Sequence, residues 1–267
     1  MNQFEESVFK KYNKTIWTKF RRGIRDYKLI SDGDKVAVCI SGGKDSMIMA
    51  VCLKQLCMNR EIPFSAEYIV MNPGYNAETM DKIRENAGKL DLPVKYFSTR
   101  IFESVKNEKK HPCFLCSRLR RGWLYKTAQE LGCNKIALGH HFDDVIETTL
   151  MSMLYGSQMQ TMLPRLKSEN YEGVQLIRPL YLVRESDIIS WAQDNGLEFT
   201  RCACSVTAKP DSHGSKRGEI KELLCRLRET NPAVDMNIFR SAHNVDLRRI
   251  MSYHIDDEYH SFLDDFE

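Results

Sequence analysis

Apolar positions along the chain fall into short blocks that alternate between two periods. "VAVCI" (36–40) is a continuous hydrophobic run, as expected of a strand buried on both faces. From Ser46 to Asn59, Met47, Ile48, Ala50, Val51, Leu53, Leu56 and Cys57 surround Lys54 and Gln55, which predicts a mostly buried helix with Asp45 or Ser46 as its N-cap. The alternation then repeats, with strands predicted at 64–70, 93–98, 135–140 and 174–180. Helices are predicted over 78–91, 116–132 (ended by Gly132), 143–156 and 185–196. This order predicts an α/β fold: a doubly wound, mostly parallel sheet with ligands at the C-terminal strand ends. Residues 1–30 read as an N-terminal helical extension and 31–204 as the main domain. Residues 205–267 read as a polar loop followed by helices, a C-terminal extension.

Between the first strand and its helix stands "SGGKDS", Ser41 to Ser46. Adjacent Gly42 and Gly43 remove side chains that would block a phosphate and permit backbone angles that turn N–H groups inward. The helix N-terminus, the hydroxyls of Ser41 and Ser46 and the ammonium of Lys44 add positive potential and donors. A tight turn that merely contains Gly-Gly is the plain alternative, and the flanking Ser, Lys and Ser weigh against it. The stretch matches neither G-x-x-x-x-G-K-[ST] nor G-x-G-x-x-G. At the end of another short apolar strand, "GHHFDD" (Gly139 to Asp144) would lie on the same rim. His140, His141, Asp143 and Asp144 there suit a magnesium ion or a nucleotide, or else simple helix capping.

Composition bounds the rest. With 267 residues, 42% hydrophobic and 28% charged, the chain suits one large globular domain with appendages. No apolar run of about 18 residues predicts a membrane span, and "MNQFEESVFKKYNK" lacks the apolar core of a signal peptide. A cytoplasmic location is therefore expected, and nine cysteines there point to packing, metal ligation or chemistry rather than disulfides. Net charge is only +3, but Lys10, Lys11, Lys14, Lys19, Arg21, Arg22 and Arg25 crowd the N-terminal segment among Tyr12, Trp17 and Phe20. Lys106, Lys109, Lys110, Arg118, Arg120 and Arg121 form a second group. Both suit RNA contacts, and both equally suit a solvated helix face.

Four cysteines are clustered: Cys113 and Cys116 as C-x-x-C at a helix start, and Cys202 and Cys204 as C-x-C about ninety residues later. Four thiolates suit a structural zinc, three suit an iron–sulfur cluster with one open iron, and a C-x-x-C pair suits thiol chemistry. Spacing alone leaves these open.

Together these motifs resemble the PP-loop ATP pyrophosphatases, which adenylate a carbonyl oxygen and release pyrophosphate. Within them, "CFLCSRLRRGWLYKTAQELGCNKIALGHHFDDVIETTLMSMLYGSQM", "MLPRL", "IRPL" and "VRESDI" look like the tRNA 2-thiocytidine synthetase (TtcA-like) group, from about Arg21 to Leu227. The resemblance implies that Ser41, Gly42, Gly43, Lys44, Asp45 and Ser46 hold the ATP phosphates, with Lys44 and Asp45 catalytic, and that Met71 and Asn72 border the adenosine. Gly139, His140, His141, Asp143 and Asp144 would complete the nucleotide and Mg2+ site. Cys113, Cys116 and one later cysteine would ligate a 4Fe–4S cluster, with Cys204 favoured and Cys202 the alternative, because this chain has C-x-C where the family shows C-x-x-C. The implied activity is ATP-dependent conversion of an anticodon-loop cytidine to 2-thiocytidine. Implied partners are tRNA, a sulfur donor and a second copy in a homodimer. A PP-loop enzyme for another base or a small molecule, with zinc on the cysteines, is the rival.

Overall fold

The 36–40 run becomes the centre of a six-stranded sheet in the computed structural model of the chain, which describes residues 2–106, 108, 112–199, 216–256 and 258–266. Its strands are β1 (Lys35–Ile40), β2 (Ser65–Asn72), β3 (Val94–Ser98), β4 (Lys135–Ala137), β5 (Arg165–Lys167) and β6 (Gln175–Ile177), in the order β3-β2-β1-β4-β6-β5. All pairs are parallel except β5 with β6. The doubly wound, mostly parallel sheet is thus as the alternation implied. The chain adds strands outward from β1 on one side and then switches to the other with β4, which opens a crevice at the C-terminal ends of β1 and β4.

Burial alternates along β1 as a strand covered on both faces requires. Val36, Val38 and Ile40 join one core with Val8, Phe20, Leu53 and Trp191, while Ala37 and Cys39 join a second with Tyr125, Ala128, Ile136 and Leu176. The first core is covered by α1 (Gln3–Phe9), α2 (Thr18–Asp26), α3 (Lys44–Asn59), α4 (Ala77–Lys89) and α8 (Glu185–Asp194). The second is covered by α6 (Pro112–Glu130). Pro112 opens α6 at the position where a missing N–H costs nothing, so this helix starts before the predicted Cys116 and takes in both Cys113 and Cys116.

The N-terminal basic segment turns its aromatics inward. Phe4, Val8, Tyr12, Ile16, Phe20 and Ile24 are buried at every fourth residue. An α-helix would drift off that stripe, and the π-helical turn Asn13–Trp17 between α1 and α2 supplies the wider step. The cations lie outside and pair with acids: Lys11 with Asp194, Lys19 with Asp187 (3.4 Å), Arg21 with Glu61 and Arg22 with Asp26 (3.0 Å). Tyr12, Trp17 and Phe20 are therefore core residues and offer no exposed face for a base.

Other departures are local. The 135–140 strand stops at Ala137 and the 174–180 strand at Ile177, because Gly139 turns against α3 and Pro179 brings no N–H to a ladder. Three elements escaped the pattern: β5, the short α5 (Ile101–Val105), and a hairpin of β7 (Ser252–Ile255) with β8 (Glu258–Ser261).

Backbone contacts divide the chain into two units, residues 1–145 with 162–212 and residues 146–161 with 213–267, the division falling inside α7 (Phe142–Gly156). In the second unit Glu147, 3% exposed, takes Arg217 at 3.1 Å and Lys221 at 3.6 Å from α9 (Lys216–Thr230). There Arg228 also pairs with Asp235 of α10 (Val234–Ser241) at 3.0 Å. Among the described residues no helix is long and apolar enough to cross a membrane.

Candidate active site

The Ser41–Ser46 turn is closed by its own hydroxyls. Gly42 takes φ +88°, a region favoured by glycine, and Gly43 is the N-cap of α3. Ser46 Oγ donates to Gly43 O (2.9 Å), accepts from Ser41 N (3.1 Å) and lies 3.1 Å from Ser41 Oγ. The expectation that Asp45 or Ser46 caps this helix is thereby corrected. Ser46 is spent inside the loop, and no side chain caps the first turn of α3. An uncapped turn behind a glycine pair is the arrangement that receives a phosphate.

Gly139 makes the second wall. A Cβ on it would stand 2.9 Å from Ser46 N and 3.0 Å from the carbonyl carbon of Asp45, so only glycine lets the end of β4 lie this close to α3. Just beyond, His141 N donates to Asp144 Oδ2 (3.0 Å) and Asp144 N donates to His141 Nδ1 (3.3 Å), a reciprocal cap on α7 with histidine as the capping residue. Asp143 is not a cap of its own helix. Its Oδ2 accepts the N–H of Glu185 (2.7 Å), and Arg184 stands 3.2 Å from its other oxygen, which ties the starts of α7 and α8 together.

Glu185 is a residue of this site that periodicity missed. Lys44 Nζ lies 2.9 Å from Glu185 Oε1 and 3.2 Å from Asp45 Oδ1, and His141 Nε2 approaches both acids at 3.8 and 3.9 Å. Burial pulls the Lys44 ammonium down, but Asp45 and Glu185 outweigh it and hold its pKa above the usual lysine value. Burial lifts the Asp45 carboxyl above its ordinary range despite Lys44 and His141. Asp45 Oδ1 is buried and accepts no hydrogen bond of good geometry. A carboxylate oxygen kept in that state beside a phosphate-type turn fits a hard cation such as Mg2+. The signal for Glu185 was present in "VRESDI", but nothing in its spacing tied it to a lysine 141 residues away.

A cavity of about 620 Å³ opens beside the turn. Of the residues singled out from sequence, Ser41, Asp45, Ser46, Met71, Cys116, Gly139, His140 and Asp144 line it, as do Arg120 and Arg121. Lys44 is drawn to Glu185, and His141 is 4% exposed behind the wall. Asn72 folds the next loop, its Oδ1 accepting Gly74 N (2.9 Å) and Tyr75 N (2.6 Å). The floor includes Cys39, whose thiol burial pushes up to about 12, with Cys133 adding to the rise, so it stays protonated. Cys116 packs beside Met71, Ile101 and Val105. Cys113 lies one turn earlier on α6, but its side chain, like Cys202 and Cys204, lies outside the described residues. The half-buried thiol of Cys116 on the wall of the same cavity as the glycine turn fits a cluster held at that edge. Among the described residues no three His, Cys, Asp or Glu side chains converge on one metal position.

The PP-loop domain family matches residues 12–205. A tRNA-cytidine(32) 2-sulfurtransferase of Geobacter metallireducens is 35% identical over 250 residues, 92% of this chain and 95% of that protein. The protein of the same name from Vibrio vulnificus is 39% identical over 241 residues, 89% of this chain and 76% of the relative. Among solved structures, the U34-tRNA thiolase NcsA from Methanococcus maripaludis, determined with its 4Fe–4S cluster, superposes with a TM-score of 0.66 at 22% identity. That match covers 85% of this chain and 77% of the other, a likeness of fold.

Proposed function

The chain belongs to the PP-loop family, in the group of the tRNA-cytidine(32) 2-sulfurtransferases, and from that membership we propose that it is an ATP-dependent tRNA thiolase that converts a cytidine of the anticodon loop, position 32, to 2-thiocytidine. The observation that carries the reading is the shared cavity. A glycine turn suited to phosphate, a half-buried acid suited to Mg2+, a cysteine of the C-x-x-C pair and two arginines face one space large enough for a nucleoside.

A pyrimidine carbonyl oxygen leaves poorly, so it must be activated before sulfur replaces it. In the proposed reaction the base O2 attacks the α-phosphorus of ATP, the bond to pyrophosphate breaks, and pyrophosphate departs with its electron pair. A sulfide nucleophile then bonds to C2, the C2–O bond breaks, and AMP leaves carrying the former O2. Ser41, the Gly42–Gly43 N–H groups and the first turn of α3 take the pyrophosphate oxygens, and Lys44 moves from Glu185 to the developing charge. Asp45 and Asp144 would hold Mg2+, which would supply positive charge for the phosphates. A 4Fe–4S cluster on Cys113, Cys116 and Cys204 would supply the sulfide. Arg120 and Arg121 meet the RNA backbone, and the base must be unpaired to enter. A separate sulfur donor and a homodimer are part of the proposal.

The test is a mass-spectrometric nucleoside profile of tRNA from cells with and without the gene. Loss of 2-thiocytidine, restored by the wild type and not by Lys44→Ala, is the expected result. Unchanged 2-thiocytidine in the deletion strain would move the substrate to another base or to a small molecule.

A further inference from the structure

The cavity beside the glycine turn runs across the C-terminal ends of three neighbouring strands, β2, β1 and β4, and its lining changes along the way. Ser41, Asp45 and Ser46 after β1, with Gly139 and Asp144 after β4, make one side polar. On the β2 side the wall is Met71, Tyr75, Phe102 and Val105, with no charge among them. The Tyr75 and Phe102 ring centroids are 5.6 Å apart and their planes meet at 73°, which makes a corner rather than a stack. A flat ring entering such a corner lies face to face with one wall and edge to face with the other, the two geometries that aromatic pairs prefer. The corner is fixed from behind. Asn72 Oδ1 accepts the N–H groups of Gly74 (2.9 Å) and Tyr75 (2.6 Å), and Phe102 N donates to Pro73 O (2.9 Å). Gly74, at φ +122°, passes so close that a Cβ on it would stand 3.2 Å from Phe102 Cβ, so glycine lets this loop lie flush against the ring.

Position decides which ring enters. Cys116 packs beside Met71 of β2 and Ile101 and Val105 of α5, and Phe102 belongs to that same short helix. The carbon that receives sulfur must lie next to the sulfur source, so the target base belongs on the Cys116 side of the cavity and the phosphates on the glycine-turn side. Depth agrees. Met71 is 5% exposed, whereas Tyr75 and Phe102 are half-buried and share the cavity wall with the exposed Ser117 and Arg121 of α6. A free nucleotide can reach the floor, but a base still attached to RNA goes only as deep as its backbone allows and meets the half-buried rings first. We propose that Phe102, with Tyr75 as the second wall, is the platform on which the unpaired target pyrimidine of the RNA stacks beside Cys116. The proposal rests on the thiolation reading above and adds to it the residue that holds the base. Stacking is tolerant of base identity, so this corner orients the base and leaves the choice of cytidine to other contacts.

Equilibrium binding of two anticodon stem-loop RNAs, one with cytidine at position 32 and one abasic there, tests this on the full chain without any need for turnover. Wild type should hold the cytidine RNA about 5–150-fold more tightly than the abasic one, the scale of a single base–aromatic stack. Phe102→Leu keeps an apolar side chain and loses the flat face. It should lose most of that ratio by weakening the cytidine RNA alone, while Phe102→Tyr should retain it. AMP affinity should be unchanged in both. Phe102→Met, whose side chain adapts to irregular space, carries the test if the Leu variant does not fold. A loss shared equally by the two RNAs, which leaves the ratio at its wild-type value, would make Phe102 a support for the Gly74 loop and overturn the proposal. Weakened AMP with the ratio intact would overturn it in favour of adenine. Wild type that binds both RNAs equally defeats this inference alone, whereas wild type that binds neither defeats the thiolation reading itself.

Discussion

Asp45 shows how a residue placed for a proposed chemical role can be poor for folding. Its carboxyl titrates above its ordinary value because burial outweighs the help of Lys44 and His141. A raised carboxyl pKa means that the folded state binds the proton more tightly than the unfolded one, so this group's contribution to stability is lost as pH rises from the unfolded pKa through the folded one. Asp45→Asn should therefore melt higher than wild type at neutral pH and converge with it in acid, while pyrophosphate release falls by about 10²–10³-fold, the scale of losing one preorganised charge. Scanning calorimetry at two pH values, beside a pyrophosphate assay, reads both. A variant that melts lower at neutral pH would contradict the burial argument. Gly139 makes the complementary case. Its added Cβ would meet backbone atoms, which cannot swing aside, so Gly139→Ala should cost about 1–3 kcal/mol, the usual range for overpacking. Chemical denaturation checks it, and nucleotide binding should weaken with it because the strain falls on Ser46.

At the scale of elements, the glycine turn and the order of strands and helices were legible because both rest on local rules: apolar runs of strand length, helical spacing and glycines at a strand end. What was not legible depended on distant partners. β5 is three residues, "RLK", with no apolar alternation of its own, and it exists because β6 offers an edge to pair with. Glu185 gains its partners only when the starts of α3, α7 and α8 come together. The basic N-terminal segment was ambiguous for a related reason. Charge and aromatic content suited RNA contacts and a solvated helix face equally, and a four-residue stripe through a π-helical turn commits the aromatics to the core. Ile16→Ala should accordingly cost about 2–5 kcal/mol, as large-to-small core changes do, and Lys14→Ala less than about 0.5 kcal/mol. Urea midpoints of the two variants decide it. Equal losses would mean that the stripe is not what holds this segment down.

For the whole molecule, the site is assembled from parts far apart in the chain whose chemistries separate. The turn at 41–46 and Cys116 of the C-x-x-C pair reach one cavity because β1 is central and α6 covers the adjacent face. Phosphate recognition and metal binding should then fail independently. Cys116→Ala should lose the iron and the visible absorbance of the cluster while retaining pyrophosphate affinity. Lys44→Ala should keep the iron and lose the pyrophosphate. The C-x-C pair resolves the remaining ligand: Cys204→Ala should lose iron and Cys202→Ala should retain it, assayed by metal content after anaerobic reconstitution. Iron lost from Cys202→Ala alone would reassign the third ligand. Zinc held by all four cysteines, with no iron, would replace the cluster and leave sulfur to come from elsewhere. The two arginines on the cavity wall set a matching expectation for the RNA. Removing Arg120 and Arg121 together should weaken tRNA retention and lower its salt slope by about 0.7–0.9 for each phosphate that the protein no longer neutralises. Pyrophosphate affinity should be untouched, because those side chains lie on α6 and the turn proposed to bind it does not.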